Sequence, residues 1–559
     1  MKKKFPLLLG TVISLLFINN LVFAQVTAVG SNLLRIGSGE TDQLSGDPST
    51  DHPLPKRYLE EIANARIFFD NITVGLRYEM DDPSEVGQSF QGLRRRWIEY
   101  NKDQLLLQAG DASALYGRGL AINAFEARPL NYDSWLDGVK GEYEYKWNKQ
   151  DYDFQPSLGV RMIAGKLTFH DVVDTSKPVQ NVSARAVNSQ LGLFGKKLIF
   201  GTSFVQAFTS VTEAGFNGDV ITNREVNQPE FYLNFLTGPV EGFFQWTEMR
   251  SHLDQVRSVA DTTNSVGHAV YGSLSYAGSD LGLIFEYKNY SYFAHLPGAN
   301  NESYLSKLPI SNPPEVYKEF TYTSLTRTTH SVDFDDELGF QIEADITAIA
   351  QNTITLYCAA SSKHESYGAA TDTNGVSLSN GSTSIIPKFS GYGFFPFWEV
   401  FAEIEHDFGD LNYFKLFAHR RSNVIAFSGT IADLQRSTTV GGKVQYQTTR
   451  TQSLLAIFEH QWMYDSEKPL NNHNLLNELL TLQYSIDPII TFGGIIDYST
   501  QDDQGRHFWP QGFISFRIGG SHTVLTSYGA ERGGLNCTGG ICRVVPAFNG
   551  LRVTVTSQI

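Results

Sequence analysis

Past residue 60 the chain repeats one local pattern, an alternating run of apolar and polar side chains, a tight turn, a second such run, then a longer polar stretch. Alternation with a period of two gives a strand one apolar and one polar face. Phe340, Ile342, Ala344, Ile346 and Ala348 alternate with Gln341, Glu343, Asp345 and Thr347; Leu551, Val553 and Val555 alternate with Arg552, Thr554 and Thr556. Turn formers recur at Asp70-Asn71, Asn101 to Asp103, Asn148, Gly195-Lys196, Thr237 to Pro239, Gly278 to Asp280, Gln351-Asn352, Gly409-Asp410, Thr449, Asp487-Pro488 and Gly519-Gly520. Gly and Asn tolerate positive φ there, and Pro ends a ladder. The connections between these hairpins, around 212–225, 250–266, 293–331 and 364–390, are long and polar.

Short turns on one side and long connections on the other predict an all-β fold, a large antiparallel transmembrane β-barrel with periplasmic turns and extracellular loops. About eleven turns imply about 22–24 strands, if residues 25–60 supply an early strand near 29–36. The barrel itself is expected over 61–559. Trp147, Trp246, Tyr287, Trp398 and Tyr498, near strand ends, would form interfacial girdles. A secreted β-sandwich or propeller tandem also alternates, but no blade-length repeat or domain linker is visible.

One hairpin predicts its own register. Trp398, Val400, Ala402 and Ile404 alternate with Glu399, Phe401, Glu403 and Glu405; Phe414, Leu416 and Ala418 alternate with Lys415, Phe417, His419 and Arg421. Both apolar sets must share the lipid face, so paired numbers sum to an even value and the loop is odd in length, such as 409–411. Glu405 then pairs with Lys415, and Glu399 with Arg421, inside the barrel.

Composition narrows the class. Charged residues are 18% and aromatics 13% of 559, with 49 Gly, a profile of strands and turns. The mean hydropathy of −0.22 excludes a bundle of membrane helices. Residues 1–24 read as a cleaved secretory signal, with Lys2 to Lys4, an apolar stretch from Phe5 to Ile18, and Val22-Phe23-Ala24 before Gln25. The chain carries a net charge of −15, and losing three lysines makes the product more acidic. Such an export product is a poor nucleic-acid partner; it is expected in the Gram-negative outer membrane, among lipid and lipopolysaccharide, with a candidate envelope protein partner.

Candidate chemistry is sparse. No nucleophile elbow, zinc-protease helix, phosphate loop or dinucleotide fingerprint occurs, so no enzyme activity, cofactor or metal is expected. The acidic run Asp333 to Glu337 lacks the loop glycine of an EF-hand and reads as solvated. Cys537 and Cys542, in a Gly-rich turn of an exported chain, predict a local disulfide. Arg94, Arg95 and Arg96 enter a strand, with Arg95 on one face and its neighbours on the other. They suit either lipopolysaccharide phosphates at the rim or a constriction. Residues 112–137, flanked by Asp111 and carrying Arg118, Glu126, Arg128 and Asp137 among glycines, are a candidate inward-folded constriction. Glu343, Asp345, Glu399, Glu403 and Glu405 would give the lumen a negative potential, tempered by Lys415 and Arg421.

The stretch from Gly110 to Tyr145 (GDASALYGRGLAINAFEARPLNYDSWLDGVKGEYEY), preceded by Val74 to Glu79 (VGLRYE), resembles the central signature of a Bacteroidota outer-membrane barrel family classed as a domain of unknown function. The tail, with Ser527-Tyr528-Gly529, Arg532-Gly533-Gly534, Cys537, Gly539-Gly540, Cys542-Arg543 and Pro546, is similar to that family's C-terminal pattern. Two departures stand out: Ala112-Ser113 follow Asp111 where an aromatic is expected, and the chain ends in Ile559 rather than Phe. The resemblance implies a barrel and brings no activity, catalytic residue or ligand.

The expectation for function is channel-like passage of small solutes through an acidic lumen. The alternative is a non-transporting scaffold or receptor that binds another envelope component through long loops such as 300–334 and 366–389. With only about 35 residues expected between the signal and the first clear strand pair, no dedicated N-terminal plug is expected, and the lumen of so wide a barrel is then open, filled by inward segments, or filled by a partner.

Overall fold

A computed structural model describes residues 26–41, 54–85, 89–128, 131–147, 154–170, 179–215, 218–253, 264–292, 308–364, 366, 384–427, 431–468, 470–500, 506–538, 541–545 and 547–558. Twenty-four strands, from 8 to 20 residues long, make one sheet. The first, Val26–Thr41, pairs antiparallel with Leu54–Phe69 on one side and with the last, Phe548–Gln558, on the other, so the sheet closes. Closure leaves no edge, which satisfies backbone N–H and C=O groups within hydrocarbon.

The first described strand, Val26–Thr41, contains the early strand expected near 29–36, and residues 54–60 already belong to the second, so the wall includes part of 25–60. Lys56, Arg57, Glu60 and Glu61 make the second strand polar on both faces near its start, which conceals the alternation. The proposed signal, 1–24, lies outside the described residues, as does the Asn148 turn. The remaining short turns fall where the sequence predicts them. One long connection does not exist: 212–225 belongs to a continuous hairpin of Leu198–Gly215 with Gly218–Thr237. Its residues are mostly polar and small, which reads as a loop in the sequence.

Alternation sorts the side chains. Val139, Met162, Phe204, Phe244, Leu356, Val400, Leu416, Phe458 and Leu482 are exposed on the outside, the surface that a bilayer covers and where a midplane Lys or Arg would cost about 2–4 kcal/mol. The inner face carries buried Glu230, Gln245, Glu399, Arg421, Glu459 and Asp497. This is a membrane-spanning barrel of the outer-membrane type. Spanning takes about 9–11 residues per strand, and Gly218–Thr237 has 20. Part of that wall stands beyond the bilayer, which explains outward polar residues such as Arg185, Gln206 and Glu225.

Candidate functional site

Two segments of the chain fold into the lumen from the end with the long connections. The first, 113–135, follows Leu105–Ala112 and returns to the wall at Leu136–Lys146. It forms two small ribbons, Ala114–Leu115 with Asn123–Ala124 and Glu126–Ala127 with Tyr132–Asp133. Gly117 and Gly119 have φ of +55° and +91°, a turn that disfavours a side chain. Leu120, Ala121 and Ile122 are fully buried against small wall residues, among them Val205, Ala207, Val226 and Ala269. Small side chains on the wall leave the space that this segment fills. Polar wall groups satisfy its backbone: the Arg118 N–H donates to Gln245 Oε1 (2.6 Å), the Ala121 N–H to Glu230 Oε2 (3.0 Å), and Gln228 Nε2 to the Leu120 carbonyl (3.0 Å).

The other ribbon is pinned by charge. Arg77 Nη1 lies 2.7 Å from Glu126, Arg95 Nη2 lies 2.9 Å from Asp133 and 3.2 Å from Glu126, and Arg128 pairs with Glu79. The Arg95 guanidinium also sits 3.7 Å from the centre of the Trp135 ring. Burial alone would raise the Glu126 carboxyl, but the Arg77 hydrogen bond and the charges of Arg95 and Arg128 hold it below the usual range.

The second segment, 308–335, runs along the wall across strand after strand. Lys318 Nζ meets Glu343 at 2.6 Å and the Tyr322 hydroxyl donates to Glu403 Oε2 at 2.5 Å. Glu459, itself buried, accepts the N–H groups of Thr323 (3.0 Å) and Ser324 (2.7 Å) at the start of the one-turn helix Thr323–Thr326. Arg327 reaches Asp497 at 2.5 Å. Phe320 packs among Tyr357, Phe401 and His419, and His330 stacks on Phe397 with centroids 4.0 Å apart. The two segments also hold each other: the Tyr132 hydroxyl donates to the Pro309 carbonyl (2.6 Å), the Asn123 N–H to Ile310 (2.7 Å), and Asn312 Nδ2 to the Asn123 carbonyl (2.9 Å).

The expected register of the hairpin Phe397–Gly409 with Asn412–Phe427 is present, with Glu405 opposite Lys415 and Glu399 opposite Arg421. Their ion pairs measure 2.5 and 2.6 Å. The connection differs: a bulge at Phe408 and the turn Asp410-Leu411 replace an odd loop, and the bulge supplies the same parity. Glu343, Glu399, Glu403 and Glu405 each face the lumen with a cationic or hydroxyl partner, and Asp345 accepts from Thr355 Oγ1 (2.5 Å). These acids are anchors for wall and segment, so the negative lumen expected of them is offset at close range.

The triple arginine does not alternate as expected. The register steps from Arg77 opposite Arg95 to Tyr78 opposite Leu93, leaving Arg94 in a bulge. Arg94 therefore reaches Glu79 (3.5 Å) on the side of Arg95, and Arg96 alone lies outside. Asp111 and Asp137, opposite each other in register, share the outer face with Arg96, whose guanidinium is 3.3 Å from Asp137. These three are outer-wall residues, not parts of a constriction; a register partner one residue away decides the face. Arg118 is exposed over the Phe243 ring at 5.1 Å.

Sequence reading missed Arg77, Glu79, Glu230, Glu459 and Asp497. Each is a polar residue at an inward position of an alternating strand, but nothing local says what it will meet. The loop 300–334, expected to project outward, has its described part inside. The acidic run is internally paired, with Asp333 at 2.7 Å from Lys363, Asp336 at 2.7 Å from His364, and Glu337 at 2.7 Å from Lys288. No cluster of three or more metal-ligating side chains gathers among the described residues. Cys537 and Cys542 face each other in the ribbon Gly534–Thr538 with Ile541–Val545; their side chains lie outside the described residues.

A family model described as "Family of unknown function (DUF6029)" matches residues 58–559. The chain belongs to that family. No curated protein matches the sequence. Among solved structures, the DUF6029 chain is similar to the P pilus usher PapC translocation pore, with 8% identity and a TM-score of 0.40 over 95% of this chain and 99% of that one. It is also similar to the siderophore receptor PirA from Pseudomonas aeruginosa (9%, 0.41, 96% and 81%) and to the ferric enterobactin receptor PfeA (7%, 0.42, 96% and 82%).

Proposed function

We propose that this DUF6029 protein is an outer-membrane channel for small solutes, exported through a cleaved signal, whose mouth is narrowed by two segments of its own chain. The observation that carries this reading is the fate of 308–335. A receptor would present its long connection to the outside, whereas this one turns inward and binds acids on four wall strands, Glu343, Glu403, Glu459 and Asp497. Internal segments held by lumen charges regulate what can pass and add nothing to an external docking surface. The reading is one of passage and needs no covalent chemistry.

A scaffold role is the second reading, favoured by the outward polar wall around Arg185, Glu225 and Arg250, which stands above the bilayer. Planar-bilayer conductance of the folded chain in a salt gradient tests the choice. Small, steady conductance that grows when 309–334 is replaced by a short linker supports passage. Silence of both proteins, with insertion verified, overturns it and leaves the scaffold.

A further inference from the structure

The bilayer-facing wall is hollowed where Ile490–Ser499, Phe508–Ile518 and His522–Glu531 adjoin. The groove holds about 830 Å³ and is walled by Leu480, Leu482, Ile496, Phe508, Pro510 and Tyr528. Gly494 and Gly512 face each other in register at its floor. Backbone packing does not demand glycine at either position. A Cβ at Gly512 would meet nothing nearer than 4.0 Å, and one at Gly494 nothing nearer than 3.5 Å. At neighbouring Gly529, by contrast, a Cβ would stand 2.2 Å from the Pro510 carbonyl oxygen, and φ is +132°. The two missing side chains at the floor therefore open a hollow rather than relieve a clash.

Two further observations point to an occupant. The ladder between the last two of these strands stops at Gln511 opposite Gly529, although the strands continue to Phe508 and Glu531, and Pro510 has no N–H to donate. The groove runs into this seam. Arg506, at the end with the long connections, is the one charged residue lining it, and it forms no ion pair with any described residue. A convex barrel wall is covered by lipid without selecting it. A concave apolar slot surrounds a chain and gains contact on several sides, and a cation at its end selects an anionic head.

We propose that this groove binds lipopolysaccharide, one acyl chain lying over Gly494 and Gly512 and a lipid phosphate meeting Arg506. The choice of lipid rests on the long connections facing outward, where the phosphorylated glycolipid forms the leaflet. It does not depend on whether the barrel conducts.

The full mature chain, delipidated in detergent, would be titrated with purified lipid A and, in parallel, with phosphatidylglycerol, with bound lipid counted by native mass spectrometry. One tight equivalent of lipid A is expected. Gly512→Leu, which fills the slot, and Arg506→Gln, which removes the cation without touching the fold, should each weaken it roughly tenfold, with heat-shifted gel mobility showing intact barrels. Unchanged lipid A binding in either intact variant overturns the proposal. So does phosphatidylglycerol binding as tightly as lipid A.

Discussion

The two inward segments fill one lumen by different means. Residues 113–124 are packed: Leu120, Ala121 and Ile122 lose all contact with solvent in a cluster with wall Val and Ala residues and the aromatics Tyr232, Tyr290 and Tyr292. Residues 318–327 bury Phe320, Tyr322 and Leu325 against wall aromatics and add polar contacts, roughly one to every second strand, with Glu343, Glu403, Glu459 and Asp497. Close packing is cooperative, since losing one side chain leaves a cavity that its neighbours feel. A contact that is still partly exposed, such as Lys318 with Glu343, is individually weak. The first segment should therefore behave as a fixed part of the barrel, and the second as a strap whose polar contacts can be removed singly while its aromatic patch stays packed.

Ile122→Ala is the strongest way to break this contrast. It should cost about 2–5 kcal/mol and speed hydrogen exchange throughout 113–124 together. Exchange confined to residue 122 would mean that the segment is not cooperative. Reducing the proposed Cys537–Cys542 disulfide should destabilise its ribbon by about 2 kcal/mol. Gly534 of that ribbon lies beside the Arg327 side chain, so proteolysis of the strap near Arg327 should rise on reduction. If thiol alkylation finds both cysteines free before reduction, the bond is absent.

Glu459→Gln halves the acceptor that holds the N–H groups of Thr323 and Ser324 and should cost about 1–2 kcal/mol. The effect should appear as exchange at 322–326 with 113–124 unchanged; coupled exchange in both segments would erase the distinction. Acid should act on the charged ribbon of the first segment. Because Glu126 is held below its ordinary pKa, its contribution is complete above the ordinary glutamate range and is lost as pH falls through the lower folded value. Fluorescence of a variant keeping Trp135 as its sole tryptophan should stay constant from neutral pH until that acid window, then change; a transition near neutrality contradicts the assignment. Lys318→Ala, at a pair still partly exposed, should cost only about 0.2–1 kcal/mol. It should free Glu343 and shift the reversal potential toward cations.

The hairpin at Glu399 to Arg421 was legible because one face of each strand must be apolar. That requirement fixes parity, and parity survived even where a bulge at Phe408 replaced the expected loop. The same logic failed at Arg94 to Arg96, since a bulge in a strand with mixed faces has no apolar signature to reveal it. It also failed at 212–225, where a run of polar and small residues resembled a loop although the backbone pairs as a hairpin.

The sequence alone determined a barrel of about this size, its turns and, on strands with one clearly apolar face, which residues look outward, because a bilayer imposes a period of two on every strand that crosses it. Only the tertiary structure decided what the lumen holds. Lys318 and Glu343 are 25 residues apart, Arg327 and Asp497 are 170 apart, and no local pattern pairs them. Their meeting depends on where the closed wall brings each strand, and on the space that small residues such as Ala207 and Val226 leave inside it.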